Sequence, residues 1–203
     1  FDLHCDTLTA FMTPERCRDT LNDPQSAFAL CRLPSQVRWA QCCAVFVPDA
    51  LPEEKRLSFF HTHVEHFQRQ GVRFAQQAQI CRTADQAEAA WRVDKTALFL
   101  TVENGAVLGR DLRRVETLSQ AGVVMLTLTW NGENAIASGT QTDHGLSPFG
   151  REAVKELLRQ RIVLDVSHMN DRGFWDLMEW TDAPVAASHS NARAVCPHPR
   201  NLT

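Results

Sequence analysis

Ala97-Leu98-Phe99-Leu100-Thr101-Val102-Glu103 is a nearly unbroken apolar run that stops on a carboxylate. A strand with one wet face would alternate polar and apolar residues. This run does not, so it reads as a strand covered on both faces, as in a parallel sheet. Asn104-Gly105 break it, and an amphipathic pattern follows over Asp111 to Gln120. Five more runs share this character: Phe1 to Leu3, Cys42 to Val47, Val123 to Thr129, Ile162 to Val166 and Pro184 to Ala187. Helical patterns separate them at Pro52 to Gln70, Ala84 to Arg92, Phe149 to Arg161 and Asp171 to Trp180. Leu57, Phe60, Val64 and Phe67 share one helix face. Ser147 is placed as an N-cap ahead of Pro148, and Asn170 as another. Strands alternating with helices imply parallel pairing through right-handed crossovers, hence an open doubly wound sheet or a closed barrel.

The bulk numbers narrow the function classes. The chain has 203 residues, 44% of them hydrophobic, and a formal net charge of −3. That suffices for one core, and residues 1–203 are expected to form a single domain. Lys and Arg are scattered, which argues against a nucleic-acid or anionic-membrane partner. No apolar run approaches the ~20 residues of a membrane span. Seven cysteines occur without a Cys-x-x-Cys pair. An odd count fits neither a disulfide framework nor a thiolate zinc knot, so a reducing, cytoplasmic setting is expected. An extracellular chain with one or two disulfides stays open.

Chemistry-bearing residues gather at the carboxyl ends of the apolar runs. His4 and Asp6 close the first, Glu103 the third, His168 the fifth and His189 the sixth. Alternate residues on a strand point the same way, so His4 and Asp6 can aim at one centre. In a (β/α) barrel the strand ends are where active sites are built. A single His or Glu there is ordinarily a plain polar terminus. Five on four strands form a pattern, and three imidazoles with two carboxylates suit zinc or another divalent first-row metal. Five ligands exceed one tetrahedral ion; a bridging carboxylate would let two ions share them, about 3.5–4 Å apart.

Asp2-Leu3-His4-Cys5-Asp6, Thr101-Val102-Glu103-Asn104-Gly105 and Leu164-Asp165-Val166-Ser167-His168 resemble the membrane (renal) dipeptidase family of the amidohydrolase superfamily. So does the stretch from Ala187-Ser188-His189 through Arg193 to His198-Pro199-Arg200-Asn201-Leu202. The resemblance covers nearly the whole chain. It implies an α/β fold of the (β/α)8 TIM-like barrel type, with about six of the eight βα units present and the C-terminal ones beyond Thr203. It implies two Zn2+ ions: one on His4 and Asp6, one on His168 and His189, with Glu103 as the bridge. The implied reaction is hydrolysis of dipeptides by a hydroxide shared between the ions. Arg200 would hold the substrate's free C-terminal carboxylate. A planar guanidinium fork suits that task, although position alone would leave Arg200 a solvated loop residue. The three histidines would have to be neutral, so activity should fall in acid. Relatives are often homodimers.

Two departures accompany the resemblance. Where renal members carry an oxyanion-donating histidine, this chain has Trp130, followed by Asn131. Indole offers one donor and no acceptor, and Asn131 is a second donor. The family's catalytic aspartate belongs to an eighth strand, beyond Thr203. Rival readings are hydrolysis of N-acyl amino acids or lactams on the same metals, and a metal-binding member without catalysis. Several residues receive no chemical role. Asp165 is set near but not beside His168. His61, His63 and His66 read as a solvated helix surface, and Cys42-Cys43 as core. Trp39, Trp91, Trp175 and Trp180 read as packing. His144 and Gly145, in the long loop from Asn131 to Pro148, are placed at the pocket mouth.

Overall fold

A computed structural model describes residues 1–10, 21–34 and 37–203. Cys17 lies outside the described residues. The elements run α1 (Thr7–Ala10), β1 (Ala40–Phe46), α2 (Glu53–Arg73), β2 (Ala78–Cys81), α3 (Ala84–Trp91), β3 (Thr96–Glu103), α4 (Arg113–Ala121), β4 (Val123–Thr127), α5 (Pro148–Arg159), β5 (Val163–Asp165), α6 (Asp171–Trp180) and β6 (Val185–Ala186). The chain forms two compact units, Phe1–Phe46 with Phe59–Thr101, and Val47–Ser58 with Val102–Thr203. Strand β3 passes from the first into the second at its last two residues.

In the first unit β3 neighbours β1 and pairs in parallel with β2, Ala78 opposite Thr96 and Cys81 opposite Phe99. Every residue of β3 is buried, as its apolar run requires. The run Phe1 to Leu3 is reduced to a single parallel bridge, Asp2 to Gln41. The Asp2 amide donates to the Ala40 carbonyl at 2.9 Å, and the Cys42 amide to the Asp2 carbonyl at 2.9 Å. Strand β2 was not legible in the sequence: its four residues mix Gln79 into an apolar stretch too short to show a period.

The expectation of a solvated His63 and His66 is corrected. Both are buried, each 4% exposed, beside Phe60, Val64 and Phe67. Spacings of three and four place them on the same helix face as the apolar stripe. The His63 ring lies 4.1 Å from the Phe59 ring, and its Nδ1 makes a 2.8 Å hydrogen bond to the Phe59 carbonyl, so Nδ1 carries the proton. Burial lowers both imidazoles from their ordinary value. His61 is exposed.

In the second unit β4, β5 and β6 are parallel neighbours. Their register puts Thr127 opposite Asp165, and Asp165 opposite Ala186. The anticipated caps form. Ser147 Oγ accepts from the Gly150 amide at 2.8 Å, with Pro148 opening α5, and Asn170 Oδ1 accepts from the Gly173 amide at 2.7 Å ahead of α6. Gly122 ends α4 at φ 97°, a left-handed conformation that favours glycine. Trp39 and Trp91 are half-buried, the Trp91 indole donating to the Trp39 carbonyl at 2.8 Å. Trp175 and Trp180 are exposed, against expectation. The Arg151 guanidinium and the Lys155 ammonium sit over the Trp180 ring, which accounts for an indole on the surface.

Among the described residues six cysteines are free, of which Cys5, Cys42, Cys43 and Cys81 are buried. Burial pushes the Cys43 thiol well above its ordinary value, which suits packing and not nucleophilic attack. Among the described residues no helix is long and apolar enough to cross a membrane.

Candidate metal centre

Each unit holds part of the expected ligand set. In the first, His4 Nε2 lies 3.4 Å from Asp6 Oδ1. The His4 amide donates to Asp2 Oδ1 at 3.1 Å, which fixes the backbone where the first run ends.

In the second unit Glu103, His168, His189, Asn131 and Arg200 come together. Glu103 ends β3 and is buried. Its Oε1 lies 2.8 Å from His168 Nε2 and 3.5 Å from His189 Nε2, and the two Nε2 atoms are 3.0 Å apart. A tetrahedral zinc with bonds of about 2.0–2.1 Å has ligand atoms about 3.3 Å from one another. The three observed separations bracket that spacing, so these atoms fit one divalent ion. Burial lowers the His168 imidazole, opposed by its hydrogen bond to Glu103; the net shift is downward and favours the neutral ring.

The backbone is bent to reach this arrangement. His168, three residues past the end of β5, has φ 70°, uncommon for a residue other than glycine. Asn104 has φ 85°, directly after Glu103. Its Nδ2 donates to the Val47 carbonyl at 2.9 Å and to Asp49 Oδ1 at 2.7 Å. Its Oδ1 accepts from the Ala106 amide and from Asn134 Nδ2, each at 3.0 Å. Asp49 Oδ2 accepts from the Gly132 amide at 3.0 Å and so ties down the turn after Asn131.

Asn131 Oδ1 lies 3.2 Å from His168 Nδ1. The Trp130 ring centroid lies 6.4 Å from that of His168, so the indole walls the cluster. Arg200 donates Nε–H to His168 Nδ1 at 3.1 Å, Nη1–H to Ser190 Oγ at 2.8 Å and Nη2–H to the His189 carbonyl at 3.1 Å. Burial lowers the guanidinium from its ordinary value, opposed by the charges of Glu103 and Asp165. His144 is exposed, with Nδ1 2.8 Å from Glu133 Oε2.

Sequence reasoning missed Asp165, whose side chain is fully buried. Oδ2 accepts from Thr127 Oγ1 and Ser188 Oγ, each at 2.6 Å. Oδ1 accepts from the Ser188 amide at 2.9 Å and the Ser167 amide at 3.1 Å. Burial alone would push this carboxyl up. The Ser188 and Thr127 hydroxyls and the Ser188 and Ser167 amides more than offset it, and the net shift is downward. The available signal was a repeated dipeptide, Ser167-His168 and Ser188-His189, at the ends of consecutive strands.

The sequence profile described as membrane dipeptidase (peptidase family M19) matches residues 1–203. The chain belongs to the membrane dipeptidase family. A curated relative, described as an uncharacterized protein in the pqqA 5′ region of Klebsiella pneumoniae, is 34% identical over 133 residues, 61% of this chain and 49% of the relative. The chain thus spans about half the length of the curated relatives it matches. Among solved structures, a metallo peptidase from Rhodobacter sphaeroides, liganded with a phosphinate mimic of the dipeptide L-Ala-D-Ala, superposes at a TM-score of 0.90. It is 24% identical and covers 100% of this chain and 68% of its own. A dipeptidase described as a family M19 metallo peptidase superposes at 0.86 with 25% identity, covering 98% of this chain and 65% of its own. The α/β fold with parallel strands, of the TIM-barrel class of the membrane dipeptidase family, is as expected.

Proposed function

We propose that the protein is a dinuclear zinc dipeptidase that cleaves dipeptides bearing a free C-terminal carboxylate. The observation that carries this reading is the Glu103, His168 and His189 cluster, with ligand atoms 2.8 to 3.5 Å apart and Arg200 one hydrogen bond away. In the proposal His4, Asp6, Glu103, His168 and His189 are the residues that would hold the ions. The ligand chemistry supports it, as does membership of a metallopeptidase family. Bound divalent ions supply a water acidic enough to attack at neutral pH and a positive charge for the polarised carbonyl.

The chain's own residues do the rest. Of the five guanidinium N–H groups of Arg200, three are engaged by His168, Ser190 and His189. The two left are one on each terminal nitrogen, and they suit a carboxylate. Gripping that group fixes the scissile bond and restricts substrates to short peptides. The phosphinate dipeptide mimic held by the Rhodobacter relative supports the same substrate class. Trp130 walls the cluster and offers an indole N–H, while Asn131 offers an amide.

The test is zinc uptake by the intact protein, followed by turnover of a dipeptide panel and its C-terminally amidated counterparts. The expected result is two ions per chain and hydrolysis of the free acids. Arg200→Met should lower kcat/KM on free acids about 10–100-fold, the range for losing charge-assisted hydrogen bonds. Equal turnover of acids and amides, unmoved by Arg200→Met, would point to another amidohydrolase chemistry. Full zinc occupancy without turnover would point to a binding role.

A further inference from the structure

The dipeptidase reading leaves Asp165 and Ser188 without work, yet both are held against the ligand cluster. Asp165 receives four hydrogen bonds, from two hydroxyls and two amides. A carboxylate accepting four donors is ionised, for a neutral acid would have to give a proton back to one of them. The Ser188 hydroxyl therefore spends its only hydrogen on Asp165 Oδ2. Its oxygen can then only accept from His189 Nδ1, which lies 2.7 Å away. His189 Nδ1 must carry the proton, and its Nε2 presents a lone pair at 3.5 Å from Glu103 Oε1. Ser167 closes the cluster: its Oγ accepts from the His189 amide at 3.1 Å and lies 3.3 Å from Ser188 Oγ.

We propose that Asp165 and Ser188 are positioning residues: through the Ser188 hydroxyl, Asp165 fixes His189 in the Nδ1–H tautomer and so sets Nε2 as a ready metal ligand. This rests on the metal reading above. Fixing the distal nitrogen of a ligating histidine orients the ring and raises its basicity, and losing such a partner costs about 10–100-fold in metal affinity. Thr127 supplies the internal comparison. It donates to the same Asp165 oxygen from the last residue of β4.

The experiment uses the intact protein as wild type, Ser188→Ala, Ser188→Thr and Thr127→Val. Zinc affinity is read by chelator competition, the His189 tautomer by long-range 15N–1H NMR, and stability by thermal unfolding. Ser188→Ala should weaken zinc about 10–100-fold and release the Nδ1–H signature. Ser188→Thr should restore both. Thr127→Val should lower Tm while holding zinc within about threefold, well short of the loss from a missing ligand partner. Unchanged zinc affinity in Ser188→Ala overturns the inference, as does Thr127→Val falling as far as Ser188→Ala. If the wild type takes up no zinc, the metal reading fails, and the NMR still decides this one: an Nε2–H His189 in the wild type sinks it, and an Nδ1–H His189 lost in Ser188→Ala supports it.

Discussion

The loops after β5 and β6 carry the same dipeptide, Ser167-His168 and Ser188-His189, yet their imidazoles are held in opposite ways. His189 Nδ1 has the Ser188 hydroxyl oxygen as partner, and that oxygen is committed to Asp165. His168 Nδ1 sits between two partners of opposite kind, an acceptor in Asn131 Oδ1 and a donor in Arg200 Nε–H. With Arg200 donating, the His168 proton is on Nε2, directed at Glu103 at 2.8 Å. A divalent ion on that nitrogen would need the proton moved to Nδ1. Asn131 can receive it there, and Arg200 must give up its contact. One imidazole has a hydroxyl oxygen behind Nδ1; the other has both an acceptor and a donor there. This links metal binding to the residue proposed to hold substrate.

The largest expected effect breaks the His168 side alone. A Cβ on Gly139 would lie 1.7 Å from the Trp130 carbonyl oxygen and 2.6 Å from that of Asn131. Both are backbone atoms and cannot step aside as a side chain would. Gly139 also forms the bridge to Met169, next to His168. Gly139→Ala should cost on the order of 3 kcal/mol or more in denaturant unfolding. A loss under about 1 kcal/mol would mean the turn at 130–131 is not rigidly placed.

Asn131→Ala sharpens the comparison with less damage. It removes the only acceptor named for His168 Nδ1–H and leaves Arg200 favouring the other tautomer. Zinc affinity should fall about tenfold, roughly 1.4 kcal/mol, with Tm nearly unchanged. Equal affinity for wild type and variant would show that His168 needs no acceptor behind it.

Much of this was legible in the sequence, and the limits have physical causes. β3 could be read because burial on both faces leaves no polar alternation in the seven strand residues before Glu103. β5 and β6 were located, but only three and two residues pair, since the flanking positions bend into the loops that carry His168 and His189. Ligand candidates could be read because strand ends are fixed by the same pattern as strands. The supports of those ligands could not. Asp165 faces inward only because β4, β5 and β6 stand in register, and register is not written in a single strand. Asn104 and His168 hold their places through positive φ angles, which most Asn and His residues do not adopt. His63 and His66 were misread because their polarity was weighed above their spacing from Phe60 and Phe67.

Those two histidines supply the smallest effect and a reference for the loops. They lie on α2, in the first unit, and none of the hydrogen bonds described for His168 and His189 involves them. Burial holds both folded-state values below the ordinary imidazole value, opposed in His63 by its bond to the Phe59 carbonyl. A folded value lower than the unfolded one means that the unfolded chain binds protons first as pH falls. Their contribution to stability is therefore fully present above the unfolded value, about 6.5, and is lost as pH drops through the folded one. Zinc-free protein, unfolded by denaturant at fixed ionic strength between pH 7.5 and 5, should lose stability with falling pH. His63→Leu should flatten that slope. Burial also lowers the His168 imidazole, so His63→Leu should remove part of the slope and not all of it. If His63→Leu leaves the slope intact, the acid sensitivity belongs to the ligand loops instead, and the contrast between the two loop histidines would have to be drawn again around their charge.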